Sequence, residues 1–189
     1  MTAPGAAPAP GMGVLGVDPG SRWTAGVLRY GDTALWGWTV GPRNAAGDRD
    51  RYALDDADDV AAMGRYLARI VEMIDATLDR AENAYRVTTL RLAVETIHVP
   101  IGYAKGGRRS SISVVDWLVP RQVVVGVLAV YPDARIVLPD AHGRAAADTY
   151  PVQLRRRRPP DWGPNETMRG ERDHERAAYD IAGVAAGMP

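Results

Sequence analysis

Three acidic residues stand in surroundings that do not suit an ordinary surface charge. Asp18 ends Val14-Leu15-Gly16-Val17, an apolar run that reads as a short buried strand, and Pro19-Gly20 then stops it. Glu95 ends a second mostly apolar segment, Arg91-Leu92-Ala93-Val94. Asp180 lies within Ala177-Ala178-Tyr179-Asp180-Ile181-Ala182-Gly183-Val184, a small and apolar helical stretch. Each has an ordinary role open to it: Asp18 capping its turn, Glu95 in a strand-end ion pair, Asp180 in a pair between helices. Three isolated acids in three apolar settings together suggest a shared hard cation. Two-metal phosphodiester chemistry needs such a cluster, since ions about 3.5–4 Å apart must be held by several carboxylates.

Gly16-Val17-Asp18-Pro19-Gly20-Ser21, then Val94-Glu95, then Tyr179-Asp180-Ile181-Ala182 resemble, in the same order, the motifs of RuvC-type Holliday junction resolvases. The chain looks like an actinobacteriophage member, and the likeness runs from about Val14 to Ala186. It implies an α/β chain of the ribonuclease H-like fold, with a central mixed five-stranded sheet flanked by helices. It also implies a homodimer that cuts four-way or branched DNA with Mg²⁺, Mn²⁺ serving as a substitute because oxygen ligands accept it. Asp18, Glu95 and Asp180 would be the catalytic metal ligands. One ion would activate a water for in-line attack and the other would stabilise the departing 3′ oxygen. One position departs from the pattern. The family usually places Asp or His three residues before the last aspartate, and here that residue is Ala177. Asp173 lies a helical rotation of about 700° before Asp180, on nearly the same face but roughly 10 Å along the axis. His174 is nearer but about 120° off that face. Both stand as candidates for the fourth ligand, against N-capping for Asp173 and surface exposure for His174.

The charge distribution bears on partners. The chain carries 23 basic and 23 acidic residues, for a formal net charge of zero. Lys105-Gly106-Gly107-Arg108-Arg109 forms a Gly-rich basic loop soon after Glu95, and Arg155-Arg156-Arg157-Arg158 forms a second cluster. Such groups neutralise phosphates and release counterions, which gives sequence-independent affinity. Lys105, Arg108 and Arg109 are therefore candidate DNA contacts, with Arg144 the matching candidate in the resembled family. Those contacts would position a backbone and carry little base information. His142 reads as a surface-loop histidine whose turn could reach the same edge as the acids, and His98 as core or loop packing, with substrate contact as its alternative.

Elements of alternating type must position these groups. Thr24–Tyr30 and Ala34–Val40 flank Gly31-Asp32 and suggest a meander joined to the first strand. Val60, Met63, Leu67, Ile70, Val71, Ile74 and Leu78 fall at helical spacing, so Asp59 to about Ala81 is an amphipathic helix covering the sheet. Asp55, Asp56 and Asp58 suit its positive N-terminal end. Leu90–Glu95 is a fourth strand and Ser111–Val130 a second helix, kinked or restarted at Pro120. The Val123–Val130 run is apolar enough to require burial, in the core or at a dimer seam. Arg135–Leu138 is a fifth strand, 161–170 a loop, and Glu171 onward the last helix.

One domain is expected over residues 13–189, preceded by an Ala/Pro-rich disordered tail at 1–12 with no signal-peptide pattern. There is no cysteine, which excludes disulfides and thiolate zinc sites and is compatible with a reducing cytoplasm, bacterial or phage-infected. Two rival readings remain. Asp-Pro-Gly-Ser after a strand also suits the phosphate loops of actin-like ATPases, which need two such domains. A non-catalytic branched-DNA binder is compatible with Ala177.

Overall fold

The computed structural model describes residues 12–43, 59–97, 113–140, 142–155 and 157–188. Five strands form one sheet: β1 (Met12–Asp18), β2 (Thr24–Tyr30), β3 (Thr33–Val40), β4 (Thr89–Glu95) and β5 (Arg135–Val137). Their order is β3-β2-β1-β4-β5, antiparallel on the β1–β2–β3 side and parallel on the β1–β4–β5 side. Among the described residues the helices are α1 (Asp59–Asn83), α2 (Val114–Val130), α3 (Val152–Arg155) and α4 (Asp173–Ala186), with a 3₁₀ turn at Ala147–Thr149. The expected mixed five-stranded α/β sheet flanked by helices is present. Met12, assigned to the tail from sequence, instead opens β1 and is buried.

One face of the sheet packs on α1 and α2. Leu15, Val17 and Val94 meet Met63, Tyr66, Ile70 and Ile74 of α1 and Val123 and Val127 of α2 in one core. The buried stripe of α1 includes two polar residues that satisfy themselves. Tyr66 shares a hydrogen bond with Thr24, and Thr77 accepts one from the Trp38 indole. Val60, expected on that stripe, is 82% exposed in the first turn. Ser113 caps α2, accepting from the Asp116 amide, and Pro120 is buried inside a helix that continues through it.

The other face is covered mainly by α4, with Trp162 over Gly37 of β3. Val14, Ala93 and Val137 pack against Ile181, Ala182 and Ala185. The approach is unusually close because Gly16 has no side chain: a Cβ there would lie 2.1 Å from the Ala178 carbonyl oxygen and 2.7 Å from the Ala182 nitrogen. Small residues on α4 and a glycine on β1 let helix backbone rest directly on strand backbone. That contact sets the height of every α4 side chain above the strand tips.

The segment before α4 straps the β3 edge. Thr39 exchanges backbone hydrogen bonds with Pro164 and Glu166. Glu166 is buried against Arg43, Arg69 and the Gly41 amide. Glu175, fully buried, takes Arg172 at 2.6 Å and Arg158 at 3.3 Å. Arg158 thus belongs to the interior, where it also donates to the Gly37 and Pro164 carbonyls. This corrects its reading as part of an outward basic cluster. Arg172, not Asp173, occupies the N-cap position of α4 and makes no side-chain cap.

Candidate active site

Strand register delivers two of the three acids to one place. In the parallel β1–β4 pair, Val17 lies opposite Val94, so Asp18 and Glu95 follow one residue on at neighbouring strand tips. Side chains alternate along a strand, and Val14 and Ala93 face α4, so Asp18 and Glu95 face it too. The Asp18 turn is braced from the opposite side of the sheet. Tyr66 donates to the Gly20 carbonyl, and the Gly20 amide donates to Thr24. Burial pushes the Tyr66 phenol far above its ordinary pKa, which keeps it protonated.

Each of these acids meets one histidine. His174 Nδ1 lies 2.8 Å from Asp18 Oδ2, and His142 Nδ1 lies 2.5 Å from Glu95 Oε1. Burial raises the Glu95 carboxyl above its ordinary range, and the adjacent Asp18 charge adds to that rise while the His142 hydrogen bond opposes it. Burial works to lower the pKa of His174, but the hydrogen bond and charge of Asp18, helped by Asp173 and Glu171, outweigh it and raise the value. The neighbourhood is therefore negative enough to draw in positive partners.

Asp180 is held differently. Its Oδ2 accepts from the Gly143 amide at 2.8 Å and from the Tyr150 hydroxyl at 2.7 Å. Burial and the Asp180 charge push the Tyr150 phenol up to about 12, so it is a proton donor at neutral pH. Gly143 has a positive φ of 75°, which favours glycine. A Cβ at this position would lie 3.0 Å from both the Ala177 nitrogen and its Cβ. The 142–144 turn therefore sits against Ala177, in the space a longer side chain there would take.

Asp18, Glu95, His142 and His174 thus lie at the strand tips, with Asp180 bonded to the same turn that carries His142. Asp173 is exposed on the first turn of α4, and Arg144 is exposed beside Gly143. Lys105, Arg108, Arg109 and His98 lie outside the described residues, as do Asp55, Asp56 and Asp58. Sequence reading gave no role to Tyr150, and it took His142 for a loop residue although its side chain is only 9% exposed. The position of His142 one turn beyond a strand tip was the available signal.

The donors suit a divalent ion in part. Two adjacent carboxylates at one buried edge offer hard oxygen ligands and gain from a cation between them. Among the described residues, however, no three His, Asp or Glu side chains converge on one ion position. A groove of about 1170 Å³ lies at the other end of β4, lined by Leu78, Leu90, Arg91, Val130 and Arg135, away from these acids.

No protein-family model and no curated protein matches the chain. Among solved structures it is similar to Thermus thermophilus RuvC in complex with a Holliday junction substrate, at 16% identity. The match has a TM-score of 0.46 and covers 93% of this chain and 94% of that one. It is also similar to Thermus thermophilus RuvC alone, at 15% identity, a TM-score of 0.42 and the same coverage.

Proposed function

We propose that this chain is a metal-dependent endonuclease that cuts four-way or otherwise branched DNA. The observation that carries the reading is the delivery of Asp18 and Glu95 to adjacent strand tips beneath α4, with Asp180 held close to the same turn. Asp18, Glu95 and Asp180 would hold Mg²⁺ or Mn²⁺, with His174 a further donor. The bound ion would supply an activated water and charge stabilisation at the leaving oxygen. Gly143 and Tyr150 fix Asp180 by one oxygen, and its Oδ1 accepts no hydrogen bond among the described residues. His174 and His142 hold the two strand-tip carboxylates in place. Arg144, with Lys105, Arg108 and Arg109, would neutralise backbone phosphates.

A homodimer fits this reading. Helix α2 carries only Asp116 and Arg121 as charged residues, yet Val114, Val125 and Val130 are exposed. Ile136 and Leu138, at the sheet edge beside β4, are 50% and 66% exposed. Apolar side chains exposed on a helix with so few charges call for cover, and a second copy would supply it symmetrically.

The absence of a three-ligand cluster among the described residues favours a second reading, a branched-DNA binder without catalysis. Cleavage of labelled four-way junctions in Mg²⁺ and in Mn²⁺, comparing the wild type with Asp18→Asn, separates the two. The nuclease reading expects cutting by the wild type alone. Tight binding with no cutting in either metal leaves the binder.

A further inference from the structure

Arginines in the interior of this chain are almost all answered by oxygen. Arg29 reaches Asp32 and the Gly31 carbonyl, Arg43 and Arg69 reach Glu166, and Arg158 and Arg172 reach Glu175. Arg80 and Arg91 donate to the Asp161 and Met188 carbonyls. Arg176, half-buried on α4, is the exception among the described residues. Its Nε is buried and donates to nothing, and no hydrogen bond or ion pair joins its guanidinium to another described residue. Its guanidinium lies over the face of Tyr150, 5.8 Å from the ring centroid. A buried donor without a partner is costly, and native structures seldom leave one so.

The position matters as much as the missing partner. Tyr150 is the residue whose hydroxyl donates to Asp180, so Arg176 stands within one aromatic ring of the acidic edge. Arg155 approaches the same tyrosine from another side, donating its Nε to the Tyr150 carbonyl while the rest of its side chain is exposed. Arg176 over the ring and Arg155 at the backbone carbonyl thus both meet the tyrosine that holds Asp180, with Arg144 exposed on the 142–144 turn. We infer that Arg176, assisted by Arg155, forms a phosphate-binding subsite next to the acidic edge. The forked geometry suits two oxygens of one phosphate group. The inference rests on the branched-DNA reading only for the source of that phosphate, a nucleic-acid backbone.

The test uses the full chain as wild type, Arg176→Met, Arg176→Lys and Arg135→Met, the last at the far end of β5. Thermal unfolding is followed with increasing inorganic pyrophosphate, and binding of a labelled four-way junction is followed in EDTA across a range of salt. Without added anion, Arg176→Met should melt at or above wild type, because an unanswered charge has been removed while the stem still covers Tyr150. Pyrophosphate should stabilise wild type and Arg135→Met but not Arg176→Met. Junction affinity should fall about tenfold in Arg176→Met, with a salt slope smaller by about one, whereas Arg176→Lys keeps the slope and loses part of the affinity. Equal stabilisation of wild type and Arg176→Met by pyrophosphate overturns the inference, as does a much lower melting point for Arg176→Met without anion. Arg176-dependent pyrophosphate binding by a protein that binds no junction upholds the subsite and defeats the DNA reading. Junction binding that ignores Arg176 does the reverse.

Discussion

Two sets of buried carboxylates stand at the two ends of one structural path, and they are neutralised in opposite ways. Glu166 and Glu175, on the strap and at the start of α4, are each gripped by two arginines. Asp18 and Glu95, at the strand tips beneath the same helix, have one histidine each and one another. A guanidinium keeps its charge at any ordinary pH, so its carboxylate partner is permanently committed. An imidazole can shed its proton and turn away, so its partner remains open to a cation. The first set builds the frame, and the second, on the proposed function, would be open to a cation.

The sharpest way to break this comparison is to remove a frame carboxylate. Glu175→Ala strands Arg172 and Arg158 without an anion, which should cost about 3–5 kcal/mol. For a chain of this size that is a melting temperature lower by roughly 10 °C, read by calorimetry. A change of only a degree or two would mean that the strap does not depend on the ion pairs. The matching change at the strand tips should behave the other way. Asp18→Asn should leave the melting temperature within a few degrees of wild type, yet lower junction cutting on the order of 10³-fold, with binding retained within about threefold. A destabilised Asp18→Asn would make Asp18 part of the frame.

A smaller effect follows from pH. Burial alone would raise the Glu166 pKa, but the hydrogen bonds of Arg69, Arg43 and the Gly41 amide outweigh it and hold the carboxyl below its ordinary value of 4.5. A depressed folded-state value contributes stability that is present above the unfolded value and lost as pH falls through the folded one. Urea denaturation of wild type and Glu166→Gln from pH 7 to pH 3 should therefore show a wild-type advantage that is full above about pH 4.5 and shrinks below it. A constant difference over that range would remove the charged form of Glu166 from the account.

What could be read in the sequence follows the range of each interaction. β2 was legible to the residue, and β1, β4 and α1 to within a few residues, because apolar periodicity and the breakers Pro19-Gly20 and Gly31-Asp32 act locally. The adjacency of Asp18 and Glu95 follows from two such strands lying parallel. The bond between His142 and Glu95 was hidden, since it depends on how the turn after β5 folds back. So were Tyr150 behind Asp180 and the pairing of Arg158 with Glu175, which link distant segments through the sheet edge. A run of four arginines looks like a surface patch until one of them proves to be interior. Helix geometry alone set His174 about 120° from the Asp180 face. Its reach to Asp18 depends instead on how closely Gly16 lets α4 settle on β1.

The central claim is that the strand-tip carboxylates share a cation, and anomalous scattering from crystals soaked in Mn²⁺ tests it most directly. The account predicts a peak within about 2.0–2.4 Å of oxygens from both Asp18 and Glu95, with His142 or His174 turned away from its present partner. Mn²⁺ bound only elsewhere, with both histidine–carboxylate pairs intact, would contradict it.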